Sequence, residues 1–337
     1  TTLVYFFLDL LSQKIKSKLK LSNYLIYVLL ATVCDVMPIR KLNRLIALTA
    51  IDNFNINKNL AFNELLSLNN KKGNLNMDDL GYLIGPILNA GGRLGKSNYA
   101  VELLSSDNPN IVSTKSNELI KLNNKRKKIE TFIINEIDYE KIENENKDVI
   151  IYYDTNINEG LIGIIAARLK DLFNKPAIVI TGSKEILKGS ARSIYDYNVG
   201  RAIKNALDKN IIINGGGHNM AAGFSLKKEN LKVFEKFILN NFSDNTKVKK
   251  NYLKFDAEIS SSALNHNFYS DLKKLEPFGT GNPAPIFLLK NLKVIRSEIL
   301  KKKHILAILK SSTGFSIKSI SFNSVNNKIG QYLLNYK

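Results

Sequence analysis

The stretch Gly215-Gly216-Gly217-His218-Asn219-Met220-Ala221-Ala222-Gly223 is the most informative part of this sequence. Three consecutive glycines let the backbone adopt positive φ and come close to a neighbouring group, and His218 is delivered to the same place. Successive N–H groups in such a turn form a concavity that holds anions, above all phosphate. The stretch therefore predicts an anion-binding turn, and the alternative is an ordinary tight turn with a solvated histidine.

The composition indicates a folded protein whose 337 residues leave room for two or three domains. The longest apolar run, Tyr24 to Cys34, has 11 residues and is too short to span a bilayer. The start of the chain has no signal-peptide pattern, and a single cysteine excludes an internal disulfide framework. We therefore expect a cytoplasmic protein without a membrane partner, in which Cys34 is a small core residue.

The net charge of +19 suggests a polyanionic partner such as a nucleic acid. Of the 49 basic residues, however, only eight are arginine, and an abundance of lysine is also typical of a solvated surface. Arginine grips phosphate through two parallel hydrogen bonds, which lysine cannot do. Arg93 and Arg192 are therefore the most informative cations, because both lie inside runs of small residues.

Residues 1–70 are predicted to be mostly helical. Within residues 1–70, the apolar run Leu25–Val33 favours a buried segment, such as a parallel strand, with Asp35 at its carboxyl end. Residues 74–95 are interpreted as a glycine-rich connection. Residues 109–144 are predicted to form one long charged helix of the kind that bridges two domains.

From Val149 onward the hydrophobic pattern alternates between strands and helices, which predicts a compact α/β domain. Ala177–Thr181 and Ile211–Ile213 are two of the predicted strands, and the second of them stands directly before the glycine run. After the polar stretch 243–251, five short β-like runs predict a small antiparallel barrel. These runs are Leu253–Ile259, Ile286–Leu289, Val294–Ile299, Ile305–Leu309 and Ser316–Phe322.

Three further motifs carry chemistry-bearing side chains. Asp35 in Val-Cys-Asp-Val-Met-Pro is suited to bind Mg²⁺ or Mn²⁺, although a lone aspartate is more often a helix cap. Arg93 in Asn-Ala-Gly-Gly-Arg-Leu-Gly is surrounded by small residues and could reach a phosphate or form a structural salt bridge. Ser190 and Arg192 project to the same face if Lys-Gly-Ser-Ala-Arg-Ser is a strand, which makes them joint phosphate donors or part of a polar edge.

The motifs, taken in order, resemble those of the RecJ-like exonucleases of the DHH phosphoesterase family. Val-Cys-Asp-Val-Met-Pro is similar to the family's fourth metal-ligand motif, and the Arg93, Ser190–Arg192 and Gly215–Gly223 motifs follow in the family's order. So does Glu-Gly-Leu-Ile-Gly-Ile-Ile-Ala-Ala-Arg-Leu, which begins at Glu159. Leu-Glu-Pro-Phe-Gly-Thr-Gly-Asn-Pro, at 275–283, resembles the entry to an OB domain. The ordered set covers nearly the whole chain.

The resemblance implies an α/β protein that degrades single-stranded DNA from the 5′ end, with two Mn²⁺ or Mg²⁺ ions in the intact enzyme. It implies four segments: the end of a DHH catalytic domain (1–73), a connecting segment (74–147), a DHHA1 domain (148–243) and an incomplete OB-like barrel (251–337). Single-stranded DNA is the implied partner, with a single-strand-binding protein and a helicase by family analogy.

The resemblance also implies roles for individual residues. Asp35 matches a metal ligand and so a catalytic residue, and His218 matches a catalytic residue whose exact role is left open. The residues matching contacts to the 5′-phosphate or the nearby strand are Asn89, Arg93, Ser190, Arg192, Gly216, Gly217 and His218. Ile87 stands where many relatives carry arginine, which leaves one strand contact in doubt.

One departure from the family pattern is large. The Asp-His-His motif that names the family is absent from the sequence, so we expect a fragment that is inactive alone. Two other functions stay open: a phosphodiesterase that acts on cyclic dinucleotides or short oligonucleotides, and a single-strand-binding module that has lost its activity. An Asp-His-His motif upstream of Thr1 in the parent protein would exclude the second of these.

Overall fold

The computed structural model describes residues 1–18, 20–245 and 253–335. The chain forms two compact units. The first unit comprises Thr1–Asp52 and Asn251–Lys337, and the second unit comprises Asn53–Lys250. Within the described part of the chain, no helix is both long enough and apolar enough to cross a membrane.

Three helices form the N-terminal part of the first unit: α1 (Thr2–Lys14), α2 (Leu25–Cys34) and α3 (Lys41–Asn53). α2 corrects the strand interpretation of Leu25–Val33. A continuous apolar run fits either a buried strand or a buried helix, and α2, with ten residues, has the length at which a helix is favoured. Asp35 therefore follows the last turn of a helix and not the end of a sheet strand.

The second unit begins with helices, including the segment 74–95 that the sequence analysis interpreted as a connection. That segment is a π-helical stretch, Asp79–Ile84, continued by a helix. The predicted single helix over 109–144 is two helices, because the Asp138 side chain accepts a hydrogen bond from the Lys141 backbone N–H and caps a new helix. The helices are α4 (Leu60–Leu68), α5 (Gly85–Arg93), α6 (Asn98–Ser105), α7 (Pro109–Glu136) and α8 (Tyr139–Asn144).

A five-stranded mixed sheet with three helices completes the second unit. The strand order is β1-β2-β3-β5-β4, with β1 and β2 parallel and the other pairs antiparallel. The strands are β1 (Ile150–Tyr153), β2 (Ala177–Thr181), β3 (Ile186–Arg192), β4 (Asn214–His218) and β5 (Ala221–Lys227). The helices are α9 (Ile162–Phe173), α10 (Val199–Asp208) and α11 (Leu231–Asn245).

The two faces of this sheet have separate cores. On one face, Ile165 and Leu169 of α9 pack with Val179 of β2, and all three are fully buried. On the other face, Ile203 of α10 and Phe234 of α11 pack in a second buried cluster. Because side chains alternate along a strand, β1 and β2 contribute to both cores, whereas the buried apolar side chains of β3 and β5 lie in the second cluster. Each fully buried aliphatic or aromatic side chain stabilises the fold by about 1.5–3 kcal/mol.

The C-terminal part of the first unit is β-rich but is not a closed barrel in its described residues. β8, β9 and β10 form an open antiparallel sheet, and β6 and β7 form a separate parallel pair. Of the predicted run Leu253–Ile259, only β6 is a strand, and most of the polar stretch 243–251 lies outside the described residues. The elements are β6 (Ala257–Glu258), α12 (His266–Lys273), β7 (Phe287–Leu288), β8 (Leu292–Leu300), β9 (His304–Ser311), β10 (Ser316–Ser321) and α13 (Lys328–Leu334).

The segment after α2 is hydrogen-bonded to the motif at 275–283, within the first unit. The Arg44 guanidinium donates from Nη1 to the Leu275 carbonyl at 2.8 Å and from Nη2 to the Glu276 carbonyl at 2.7 Å. The Ile39 N–H donates to the Thr280 carbonyl at 2.6 Å. The motif that the sequence analysis interpreted as a domain entry therefore also fastens the C-terminal part of the unit to the segment that follows Asp35.

Candidate nucleic-acid interface

One face of the five-stranded sheet brings several predicted site residues together. Cross-strand partners project from the same face of a sheet. Two rows of such partners run from β3 through β5 to β4: Arg192–Ala221–His218 and Ser190–Gly223–Gly216. We call this side the glycine face, because both glycines of the second row are exposed. It presents a hydroxyl, a guanidinium and an imidazole around a floor without long side chains.

Arg192 is held in place by its own strand and by the first turn of α9. Its Nη1 donates to the Ser190 hydroxyl oxygen at 3.1 Å and to the Ala191 carbonyl at 2.8 Å. A Cβ on Gly163 would lie 2.8 Å from Arg192 Nη2 and 3.2 Å from Ser190 Oγ. Glycine at this position leaves room for the guanidinium where it lies, and a larger residue would require the Arg192 side chain to move.

Arg93 belongs to the same unit and is attached to the segment that leads into α9. It is the last residue of α5, and its Nη1 donates to the Gly160 carbonyl at 3.1 Å. A Cβ on Gly160 would lie 2.3 Å from the Arg93 carbonyl oxygen. Asn89, one helical turn earlier, is exposed and shares the Arg93 face of α5. Ile87 is buried in the same helix, which removes it as a candidate for strand contact.

The two arginines are close enough to influence each other. Burial, and then the charge of Arg93, lower the pKa of the Arg192 guanidinium. Burial, and then Arg126, lower the pKa of Arg93, while Glu130 acts in the opposite direction. Among the residues that the structure describes, no carboxylate forms an ion pair with Arg93 or Arg192. Both arginines keep their charge at neutral pH, so a bound anion would relieve their mutual repulsion.

A buried carboxylate, Glu130, connects two of the helices next to these arginines. Glu130 of α7 accepts hydrogen bonds from Arg126 Nη1 at 3.0 Å and from Arg168 Nε of α9 at 2.7 Å. Arg126 Nε also donates to the Asn123 side chain at 3.1 Å. The Glu130 side chain is only 10% exposed. Glu130 thus ties the long helix to α9, the helix that covers Arg192.

The glycine run is a strand and not the predicted turn. None of Gly215, Gly216 and Gly217 has positive φ, and all three lie in β4, while Ile211–Ile213 is not a strand. The need for glycine is steric. A Cβ on Gly217 would lie 2.2 Å from the Ala221 carbonyl oxygen, whereas a Cβ on Gly216 would meet nothing within 4 Å. Gly217 therefore lies tightly against the neighbouring strand β5 although it is exposed to solvent, and its predicted part in binding stays a prediction.

The different space around Gly217 and Gly216 predicts different effects of an alanine substitution on stability. We expect Gly217→Ala to lower the free energy of unfolding by about 2 kcal/mol, because the added methyl group overpacks a site bounded by backbone. Gly216→Ala should change it by under about 0.5 kcal/mol, since its methyl group enters open space. Urea denaturation followed by circular dichroism measures both changes. Equal effects of the two substitutions would contradict the opposite orientations of these residues.

His218 ends β4 at the rim of the glycine face. Its side chain is exposed, and its Nδ1 accepts a hydrogen bond from the Met220 backbone N–H at 3.3 Å. Nε2 then carries the proton of the neutral ring and is free to donate outward. Gly200 of α10 packs against the His218 backbone, where a Cβ would lie 2.7 Å from the carbonyl oxygen. The backbone around His218 is therefore held firmly, while the outer side of its ring is available.

Asp35 belongs to the first unit, and both its position in the helix and the backbone that follows it are energetically unfavourable. It is an exposed carboxylate at the C-terminus of α2, where the helix dipole opposes negative charge. The next residue, Val36, has a φ of +55°, a conformation that β-branched residues rarely adopt. Such local strain is typical of functional positions. The described residues contain no group of three or more histidine, cysteine, aspartate or glutamate side chains suited to a metal, so Asp35 does not form a complete metal site with them.

The sequence analysis did not identify the ion-pair network around Glu130 or the two glycines that lie close to the arginines. Glu130, Arg126 and Asn123 carried a usable signal, because their spacings of three and four residues place them on one face of a helix. Gly160 and Gly163 belong to the motif that begins at Glu159, and the sequence analysis gave them no separate role. Their close approach to Arg93 and Arg192 depends on contacts between elements distant in the chain, which no local pattern shows.

Two family models match the chain. A DHHA1 domain model matches residues 146–244, and a RecJ OB domain model matches residues 255–333. The single-stranded-DNA-specific exonuclease RecJ of Bacillus subtilis is 30% identical over 304 residues, which cover 87% of this chain and 38% of that protein. The enzyme of the same name from Salmonella typhimurium is 28% identical and covers 90% of this chain and 55% of its own length. The chain thus spans about half or less of these relatives.

Solved structures show the same fold. The structure of RecJ in complex with Mn²⁺ from Thermus thermophilus superposes with a TM-score of 0.77 at 22% identity, covering 92% of this chain and 45% of that one. The structure of exonuclease RecJ bound to manganese gives 0.54 at 22% identity, covering 66% of this chain and 55% of that one. These findings confirm the resemblance inferred from the ordered motifs and the α/β class with an OB domain.

Proposed function

This chain is RecJ-like, with a DHHA1 domain and a RecJ OB domain, and we propose that its second unit binds the 5′ end of single-stranded DNA for a 5′→3′ exonuclease. In this proposal Arg93, Arg192 and Ser190 bind the terminal phosphate. His218 donates from Nε2 to a phosphate oxygen of the same strand. Asn89 lies on the Arg93 face of α5 and contributes an amide to the neighbouring backbone.

The observation that carries the proposal is Arg192 on the glycine face with the charge of Arg93 close by. Two partly buried guanidinium groups repel each other there, and neither has an ion-pair partner among the described carboxylates. A 5′-phosphate carries more charge than a phosphodiester and can accept from several donors at once. The exposed floor of Gly216 and Gly223 lets a strand approach the backbone without a steric barrier.

We further propose that the OB domain binds the strand without regard to sequence. Phe322 is 70% exposed and Phe315 is 42% exposed, and both lie next to the ends of β10. Exposed aromatic rings beside lysines are the usual means of holding single strands, because every base has a face that can stack. Single-stranded DNA is therefore the proposed partner, while a single-strand-binding protein and a helicase remain implied by the family resemblance alone.

The metal chemistry of the proposed enzyme needs residues beyond those described. The structural relatives named above are complexes with Mn²⁺, and we propose that Asp35 supplies one ligand for Mn²⁺ or Mg²⁺ in the intact enzyme. One carboxylate does not hold two ions, so we expect the isolated chain to be inactive. Incubation of a 5′-labelled single strand with the chain and Mn²⁺ should leave the strand uncut, and trimming would overturn this expectation.

The binding proposal is tested by fluorescence anisotropy of the chain with two labelled oligonucleotides that differ only in a 5′-phosphate or a 5′-hydroxyl. We expect the phosphorylated strand to bind about tenfold more tightly, since hydrogen bonds to a charged group contribute about 1.5–3 kcal/mol. A titration at higher salt should weaken both strands while keeping the difference. Equal affinities at each salt concentration would show that the +19 charge acts non-specifically.

A further inference from the structure

An open-sided cavity adjoins the phosphate donors on the glycine face. Its volume is about 360 Å³, and it lies between the start of α9 and strands β3, β4 and β5. That volume is near the lower end of the range for small-molecule sites. The lining includes Glu159, Ile162, Lys188, Asn214, Gly223 and Ser225.

The strand register places this cavity directly beside Ser190. Lys188 is two residues before Ser190 on β3 and projects from the same face, about 6.7 Å along the strand. Gly223, which lines the cavity, is the cross-strand partner of Ser190. A group covalently attached to a phosphate on Ser190 and Arg192 therefore enters the cavity without leaving the glycine face.

The lining has the chemistry of a nucleoside site. Gly223 gives a flat floor, where an added Cβ would find no atom nearer than the Gly189 carbonyl oxygen at 3.9 Å, and Ile162 gives an apolar wall. Lys188 Nζ donates to Ser225 Oγ at 3.0 Å, which holds the ammonium group at the edge of the cavity. Asn214 has both a donor and an acceptor, and the Glu159 carboxylate accepts.

We propose that this cavity holds the 5′-terminal nucleoside of the bound strand. The inference rests on the proposed function, because it takes the terminal phosphate to lie on Arg192 and Ser190. The flat floor and the apolar wall contact the faces of the base, which all four bases share. Lys188, Asn214 and Glu159 together offer hydrogen-bond donors and acceptors. They can therefore bond to the polar edge of any of the four bases, and the site has no preference for one base.

The test uses the full chain, anisotropy and two 5′-phosphorylated oligothymidylates, one of which has an abasic first residue. We expect the complete strand to bind about tenfold more tightly than the abasic one, in line with the contribution of one base contact. Gly223→Val should remove this difference, because its side chain fills the floor of the cavity. The double variant Lys188→Ala with Asn214→Ala, which leaves the proposed phosphate contacts in place, should still prefer an abasic strand with a 5′-phosphate over one with a 5′-hydroxyl.

Two outcomes would overturn the nucleoside site: equal binding of the complete and abasic strands by the original chain, or an equal loss for both strands in Gly223→Val. Circular dichroism of the variant verifies that it folds, and Lys188→Ala with Asn214→Ala gives a second test that leaves the floor intact. Failure of the proposed function is recognised separately, because it removes the difference between 5′-phosphate and 5′-hydroxyl ends whether or not the first base is present.

Discussion

Replacing Arg192 with alanine is expected to abolish the preference of this chain for a 5′-phosphorylated single strand. Arg192 is the guanidinium that Ser190 and the Ala191 carbonyl orient on the glycine face, so its loss removes a pair of donors whose position is fixed. We expect the affinity for the phosphorylated strand to fall about tenfold, to that of the 5′-hydroxyl strand, which corresponds to the loss of one charge-assisted contact. The affinity for the 5′-hydroxyl strand should change by under about threefold. Anisotropy with the two strands measures both changes.

A matched control separates this local role from the general charge. Arg201→Ala removes the same charge from an exposed position on α10, so it should weaken both strands slightly and keep their difference. Arg192→Lys should recover only part of the preference, because an ammonium group cannot donate two parallel hydrogen bonds. If Arg192→Ala and Arg201→Ala have the same effect on both strands, the terminal phosphate is not bound at Arg192.

Replacing Glu130 with alanine is expected to cause the largest loss of stability of any substitution considered for this chain. The substitution leaves Arg126, whose side chain is 12% exposed, without its carboxylate partner, and it breaks the link from α7 to Arg168 of α9. Removing one member of a buried ion pair typically costs about 3–5 kcal/mol. Because the Arg168 side chain is 59% exposed and regains water, we expect a loss at the lower end of that range, about 3 kcal/mol, measured as a lower urea midpoint.

The control for this prediction is an exposed carboxylate in the same unit. Glu229 lies 3.3 Å from Lys227, with both side chains more than half exposed, so Glu229→Ala should cost under about 0.5 kcal/mol. Glu130→Gln should lie between the two, since it keeps the shape and part of the hydrogen bonding. A Glu130→Ala variant as stable as Glu229→Ala would show that the ion pairs around Glu130 do not hold α7 to α9.

The sequence predicted elements well where one local pattern decided them. The run Ala177–Thr181 is a strand with the predicted bounds, because a short β-branched segment between turn residues has few alternatives. The alternation of Lys188, Ser190 and Arg192 correctly placed a hydroxyl and a guanidinium on one face. The strand prediction for Leu25–Val33 was wrong, because an apolar run has no periodicity that separates a buried helix from a buried strand. The turn prediction for Gly215–Gly217 was wrong, because glycine permits a turn and a closely packed strand equally.

The sequence by itself determined the family resemblance, the α/β class and the residue types available for binding a phosphate. Those properties are local, since they depend on which side chains stand two, three or four positions apart. Only the tertiary structure decided that Gly163 lies over Arg192, that Glu130 joins α7 to α9, and that Gly223 floors a cavity beside Ser190. These contacts join residues that are far apart in the chain, and they follow from strand register and helix packing, which are settled by burial of the whole unit and not by any single segment.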